Sequence, residues 1–131
     1  MLRAVDTNVL ARALVEDGTE QGRRALECIR DSEVFVPETV LLETEWLLRS
    51  QLGVSRAAVN TVLSKLLSLE NVNFDDSTKI ANVLSAHQEG MDFADALHLL
   101  SAQDCEELVS FDRDFARRAA KLALPVPVRE P

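Results

Sequence analysis

The sequence predicts an α/β domain with a mainly parallel central sheet, and three observations lead to this fold class. Short apolar runs alternate along the chain with segments in which apolar residues recur at helical spacing, a pattern typical of parallel α/β domains. The 131 residues contain no repeat, low-complexity stretch or linker, which favours one compact domain over 1–131. With 47% hydrophobic and 27% charged residues, the chain can bury a core.

The predicted elements follow one another in a regular order. The first four predicted strands are short apolar runs that end at Asp or Pro. Most predicted helices begin at Asp or Ser, and three of them end near Gly18, Gly53 or Gly90. We expect strands at 2–5, 34–36, 72–74, 108–111 and 124–128. We expect helices that begin after Asp6, Ser55, Ser77, Asp92 and Asp112, with two more at about 20–30 and 38–52.

The charge balance limits the classes of function. The formal net charge is −8 and the isoelectric point is about 4.7, so passive, broad binding of nucleic acid is disfavoured, because such binding depends on Lys and Arg neutralising phosphates. An acidic chain can still act on phosphates if metal ions bridge its carboxylates to the substrate. The first residues lack the layout of a signal peptide, and no apolar run approaches the roughly 20 residues that span a bilayer. We therefore expect a cytoplasmic protein without membrane contact.

Aspartates stand where a parallel sheet usually carries its site. Asp6 and Asp112 each follow a predicted strand directly, and sites in such sheets lie outside the carboxyl ends of the strands. Asp92 and Asp95 have the spacing of a helix cap and the third helical residue. Two interpretations stay open for each of these acids, a helix cap or a chemical role.

Glu43 is interpreted differently from its neighbours on the predicted helix 38–52. At about 100° per residue, Glu43 falls between Trp46 and Leu47, within an apolar surface. Glu45 falls on the opposite, solvated face, where it can pair with Arg49 at i,i+4 spacing. A carboxylate in an apolar surface is costly unless it is paired or binds a metal. Glu43 is therefore a candidate functional acid, and a partner arginine or a groove at the helix edge is the alternative.

Several carboxylates that converge on one pocket would repel one another unless a cation joined them. Hard divalent ions with oxygen ligands suit such a pocket, and Mg²⁺ often combines one or two carboxylates with water and phosphate. A metal held in this way can activate water and stabilise the charge of a displacement at phosphorus. The acids thus indicate metal-dependent hydrolysis of phosphodiesters.

Four segments resemble the motifs of PIN-domain nucleases, in the order in which that family has them. They cover nearly the whole chain: Ala4-Val5-Asp6-Thr7-Asn8-Val9-Leu10, then Thr39 to Leu48 around Glu43, Asp92-Phe93-Ala94-Asp95-Ala96-Leu97-His98-Leu99, and Ser110-Phe111-Asp112-Arg113-Asp114-Phe115. The resemblance implies a three-layer α/β/α fold with Asp6, Glu43, Asp95 and Asp112 as the catalytic acids. It also implies that Asp6, Asp95 and Asp112 bind Mg²⁺ or Mn²⁺.

The resemblance further implies an endoribonuclease, and short chains of this kind are commonly VapC-type toxins of toxin–antitoxin pairs. An RNA substrate, a cognate antitoxin and a homodimer are then the expected partners. Many relatives have Thr where Ser110 stands. The Ser110 hydroxyl is expected to hold a neighbouring carboxylate or a water. Asn8 is expected to orient an acid by a hydrogen bond, with simple turn chemistry as the alternative. Asp92 and Asp114 either support the ligands or cap helices.

Some interpretations remain open on the sequence alone. Trp46 belongs either to the core or to a subunit contact, and His98 is interpreted as a surface histidine instead of a general base. The main alternative function is a catalytically inactive, acidic α/β domain that binds a metal or acts in signalling or as a scaffold. A haloacid-dehalogenase-like phosphatase is disfavoured, because its chemistry needs Asp-x-Asp where this chain has Asp6-Thr7-Asn8.

Overall fold

The structure is a computed structural model that describes residues 1–131. The chain divides into two compact units, Met1–Ser77 and Thr78–Pro131. Strands alternate with helices in both units, and every registered strand pair is parallel. The predicted α/β class with parallel pairing is therefore confirmed.

The first unit contains a three-stranded parallel sheet in the order β1-β2-β3. Its strands are β1 (Leu2–Ala4), β2 (Glu33–Phe35) and β3 (Val72–Asn73). Val34 in the central strand pairs with Arg3 on one side and Val72 on the other, and it is fully buried. The prediction of a buried strand at 2–5 is wrong for β1 itself, which lies at the edge of this sheet with exposed side chains; the burial begins at Val5.

Helices pack around this sheet in the first unit. They are α1 (Thr7–Val15), α2 (Glu20–Asp31), α3 (Glu38–Trp46) and α4 (Arg56–Ser68). Helix α1 packs against α2 and α3, whereas α4 packs against β3. The core consists of aliphatic side chains with almost no exposure, among them Leu10, Val36, Leu41, Val59 and Leu63.

The predicted helix 38–52 is interrupted. Helix α3 ends at Trp46, and the chain continues through a π-helical turn, Leu47–Gln51, that closes with the Leu52 amide donating to the Leu47 carbonyl. Gly53 follows with φ +64°, a left-handed conformation that glycine adopts without steric cost. The predicted stop at Gly53 is confirmed, but the last turn has wider, i→i+5 geometry.

The orientation predicted for this helix is wrong. Glu45, expected on the solvated face, is only 2% exposed, whereas Glu43 is exposed. The buried positions are Leu41, Thr44, Glu45 and Leu48, which share one helix face at i, i+3, i+4 and i+7 spacing. Apolar residues occur on most sides of α3, so the sequence pattern does not define which face is buried. The predicted ion pair is confirmed, with Arg49 Nε 2.8 Å from a Glu45 carboxylate oxygen.

The second unit consists of α5 (Ser77–Gln88), α6 (Phe93–Ser101), α7 (Arg113–Lys121) and the parallel pair β4 (Leu108–Val109) and β5 (Val128–Arg129). Helix α7 packs against β5. Its core includes Ile80, Val83, Met91, Phe93, Ala96 and Leu99.

The last strand begins later than the predicted range 124–128. Ala123 adopts a left-handed conformation, with φ +53°, and turns the chain after α7. Pro125 and Pro127 have no amide hydrogen to donate to a neighbouring strand, so regular pairing starts at Val128. The Pro127 carbonyl still accepts a hydrogen bond from the Leu108 amide, at 2.9 Å. Across the whole chain, no helix is both long enough and apolar enough to cross a membrane.

Candidate active site

Asp6 is the N-cap of α1. One of its carboxylate oxygens accepts a hydrogen bond from the Val9 amide at 3.2 Å, and its own backbone is extended. Aspartate suits this position because it satisfies a free amide and its charge complements the helix dipole. The capping interpretation is thus confirmed. Since a carboxylate has two oxygens, the cap leaves Asp6 able to bind a further ligand.

Glu43 lies next to the start of α1. The Thr7 hydroxyl donates a hydrogen bond to a Glu43 carboxylate oxygen, which joins residues 36 positions apart where α1 packs against α3. Within the first unit, Glu43 therefore contacts Thr7, the residue that follows Asp6 in the chain. Thr7 was not predicted as a site residue, although its position between Asp6 and Asn8 in the first motif pointed to it.

Asn8 has a cation as its partner. Its side-chain oxygen accepts a hydrogen bond from Arg12 Nε, at 3.0 Å and one turn farther along α1. Arg12 also lies 3.7 Å from an Asp17 carboxylate oxygen. Asn8 was expected to orient an acid; in the structure it fixes the Arg12 guanidinium.

Asp92 and Asp112 cap helices in the second unit, as the capping interpretation predicted. Asp92 accepts a hydrogen bond from the Asp95 amide, and Asp112 accepts one from the Phe115 amide, both at 3.0 Å. The Ser110 hydroxyl oxygen accepts a hydrogen bond from the Asp112 amide, also at 3.0 Å. The Ser110 hydroxyl was expected to hold a carboxylate or a water, whereas here it restrains the backbone of Asp112.

Asp95 is the half-buried acid of this group. Burial raises the pKa of Asp95, the carboxylates of Asp92 and Asp112 raise it further, and His98 lowers it. Like charges that resist ionising together indicate that these carboxylates share one region of the second unit. Asp114 stands apart from them in its contacts, because it is exposed and paired with Arg117 on the surface of α7.

The chemistry of these acids suits a divalent cation, since carboxylate oxygens are preferred ligands of Mg²⁺ and Mn²⁺. The observation that supports this fit is Asp95, whose pKa is raised by burial and then by the charges of Asp92 and Asp112, because a cation would offset both effects. Neither unit, taken by itself, presents three Asp, Glu, His or Cys side chains placed to hold a metal ion. Each unit therefore has the carboxylate oxygens that such an ion prefers, but neither unit alone places three ligands around one point.

The structure gives the exposure of Trp46 and His98, whose positions the sequence left open. Trp46 is 48% exposed, so the interpretation of Trp46 as a core residue is wrong. His98 is exposed on α6, as expected of a surface histidine. The buried histidine is His87, whose ring meets the Phe93 ring edge to face at 5.7 Å.

Comparison with known proteins identifies the family of this chain. No curated protein matches the chain at a significant level. The family model described as PIN domain matches residues 3–121, a range that contains Asp6, Glu43, Asp95 and Asp112 and runs through both compact units. The predicted PIN-like α/β/α fold is thereby confirmed, and the chain belongs to the PIN domain family.

Proposed function

We propose that this protein is a metal-dependent endoribonuclease that cleaves RNA phosphodiester bonds, and that residues 1–131 act as one catalytic domain. PIN domains are generally nucleases, so membership of the family supports hydrolysis of a nucleic acid. The observation that carries the proposal is the half-buried Asp95 with the carboxylates of Asp92 and Asp112 near it. Burial first, and then these two charges, raise the pKa of Asp95, and a bound cation would offset both effects. The proposed catalytic acids are Asp6, Glu43, Asp95 and Asp112.

Asp6, Asp95 and Asp112 are the proposed ligands of Mg²⁺ or Mn²⁺. When bound, the ion supplies Lewis-acid stabilisation of the negative charge that develops on the phosphodiester. The capping bonds hold Asp6 and Asp112 rigidly at helix starts, and each bond uses one carboxylate oxygen. The chain thus keeps these acids oriented at little further cost in conformational entropy.

Glu43 is the proposed acceptor of the proton from the attacking water. It is exposed, and the hydrogen bond from Thr7 fixes one carboxylate oxygen while the other can accept a proton. Asp92 and Ser110 are the proposed supporting residues, whereas Asn8 and Asp114 contact arginines. Ser110 restrains the Asp112 backbone and Asp92 the start of the helix that carries Asp95.

The biological role proposed for the protein is that of the toxin in a toxin–antitoxin pair, acting in the cytoplasm. The proposal rests on the resemblance of its motifs to those of the family that includes VapC-type toxins. The expected partners are a cognate antitoxin and a second copy of the chain, and the exposed Trp46 suits a protein contact. Growth arrest on expression, relieved by co-expression of a small protein encoded next to the gene, is the expected result; normal growth would contradict the toxin role.

A catalytically inactive, acidic signalling or scaffold domain is the second candidate. The observation that favours it is that neither unit alone places three possible ligands around one point. In that case the aspartates act as caps, and no nuclease activity is expected under any metal condition.

Cleavage assays decide between these candidates. The purified chain should cut single-stranded RNA with Mg²⁺ or Mn²⁺ and stop when EDTA is added. Asp95→Asn and Asp112→Asn should each lower the rate by about two orders of magnitude or more, because a lost ligand displaces the ion. Asp104→Asn is the matched control, since Asp104 is exposed and has no proposed role. Equal rates in all three variants, or cleavage that persists in EDTA, would reject the mechanism.

A further inference from the structure

The first unit contains a cleft with an unusual concentration of arginine for an acidic chain. Its volume is about 570 Å³, and we call it the arginine cleft because Arg3, Arg12 and Arg24 line it. These residues come from β1, α1 and α2. The remaining lining residues are Asn8, Val9, Gln21, Ala25, Glu27, Cys28, Asp31 and Ser32.

The two acids in this lining are paired with arginines that lie outside it. Glu27 contacts Arg23 at 2.5 Å, and Asp31 contacts Arg30 at 3.2 Å. Arg3 donates to the Ser32 hydroxyl, a neutral group, at 3.2 Å. Arg12 is partly offset by Asp17, which lies 3.7 Å away outside the lining. The positive charge of the cleft therefore comes mainly from Arg3 and Arg24, although the whole chain carries a formal charge of −8.

The cleft begins beside a candidate catalytic acid. Asp6 caps α1, and Asn8, Val9 and Arg12 of the same helix line the cleft. At 1.5 Å of rise per residue, Arg12 lies about 9 Å along the helix axis from Asp6. The hydrogen bond to Asn8 holds the Arg12 guanidinium in place, so its position relative to Asp6 is fixed.

We propose that the arginine cleft binds the phosphate backbone of the RNA strand and leads it to Asp6. This inference rests on the proposed ribonuclease function. Guanidinium groups bind phosphates through paired, charge-assisted hydrogen bonds, and side-chain amides such as Asn8 and Gln21 suit sugar and phosphate oxygens. An acidic peptide fits less well, because hot spots of protein contacts combine Arg with well-packed Trp or Tyr anchors. The lining offers only Val9, Ala25 and Cys28 as weakly polar or apolar surface.

Binding of RNA in EDTA tests this inference without cleavage. The full chain is titrated with a fluorescently labelled single-stranded RNA over a range of KCl concentrations. Arg3→Gln and Arg24→Gln should each weaken binding about tenfold. Each should also lower the slope of log K against log salt by about 0.7, the value for one phosphate contact with a single strand. In cleavage assays the same changes should raise KM far more than they lower kcat.

The matched controls are Arg113→Gln and Arg117→Gln, which change the net charge equally but lie on α7, outside the cleft. They should weaken binding less than about twofold. Equal losses in both sets would overturn the proposal, as would a poly-glutamate peptide that binds the cleft more tightly than RNA does. Cleavage that is independent of Arg3 and Arg24 would reject RNA binding by the arginine cleft but would support the ribonuclease function. Binding that depends on these arginines, with no cleavage in Mn²⁺, would reject the ribonuclease function but would support RNA binding by the arginine cleft.

Discussion

Asp95 is the residue at which the electrostatic cost of the candidate site is most direct. Burial raises its pKa above the ordinary value of 3.8, and Asp92 and Asp112 raise it further. Between the ordinary pKa of the unfolded chain and the raised pKa of the folded chain, the folded chain holds a proton that the unfolded chain has lost. The free energy of unfolding therefore falls as the pH rises through this window. Asp95→Asn removes this penalty. The variant should therefore be more stable than the wild type at pH 7 and nearly equal to it at about pH 4.

The measurement is the free energy of urea unfolding of Asp95→Asn and wild type in EDTA at both pH values. Asp104→Asn is the control and should show no such pH-dependent difference, because Asp104 lies exposed in a loop. Lower stability of Asp95→Asn at pH 7 would show that the Asp95 charge is stabilising and would contradict the repulsion argument.

Glu43 and Glu45 should separate chemistry from stability. Glu45 is buried and bound to Arg49, so Glu45→Gln should cost about 1–2 kcal/mol of unfolding free energy, while the folded fraction keeps its activity. Glu43 is exposed, so Glu43→Gln should change stability little and abolish cleavage. Chemical denaturation together with cleavage rates per folded molecule checks both. An inactive but fully folded Glu45→Gln would mean that the functional acid had been assigned to the wrong position.

At the scale of the element, each aspartate cap can be tested apart from any role in catalysis. Asn caps a helix about as well as Asp, whereas Ala does not. Asp112→Asn should therefore keep the stability of the wild type and lose activity. Asp112→Ala should lose activity and also about 1 kcal/mol of stability, because the Phe115 amide loses its acceptor. Thermal unfolding of both variants is the measurement, and equal melting temperatures would contradict the capping contribution.

Cap chemistry also explains which elements could be predicted from the sequence. The starts of the helices after Asp6, Ser55, Asp92 and Asp112 were predictable because a cap involves a side chain and an amide only three residues away. The buried face of α3 was not, because that choice depends on packing against distant elements. Burial of Glu45 instead of Glu43 is the consequence.

At the scale of the whole molecule, the same distinction between local and distant contacts applies to the site. The candidate acids could be named from four local motifs, and the family match covers all of them. The Thr7–Glu43 hydrogen bond and the arginine cleft could not be predicted, because they depend on the packing of α1 against α3 and α2. A net charge of −8 is an average that conceals this local concentration of arginine.

Metal binding should stabilise the whole chain. If Asp6, Asp95 and Asp112 bind Mg²⁺ or Mn²⁺ only in the folded state, saturation at about 100 times Kd adds about 2.7 kcal/mol to the free energy of unfolding. The melting temperature should therefore rise by several degrees with metal and return to its initial value with EDTA. Divalent ions also screen an acidic chain without binding a site, so the comparison is made at constant ionic strength with KCl. Asp95→Asn, stable without metal because it lacks the repulsion, should show little or no rise. The same rise in Asp95→Asn as in the wild type would mean that the ion binds elsewhere, and the proposed ligand set would have to be abandoned.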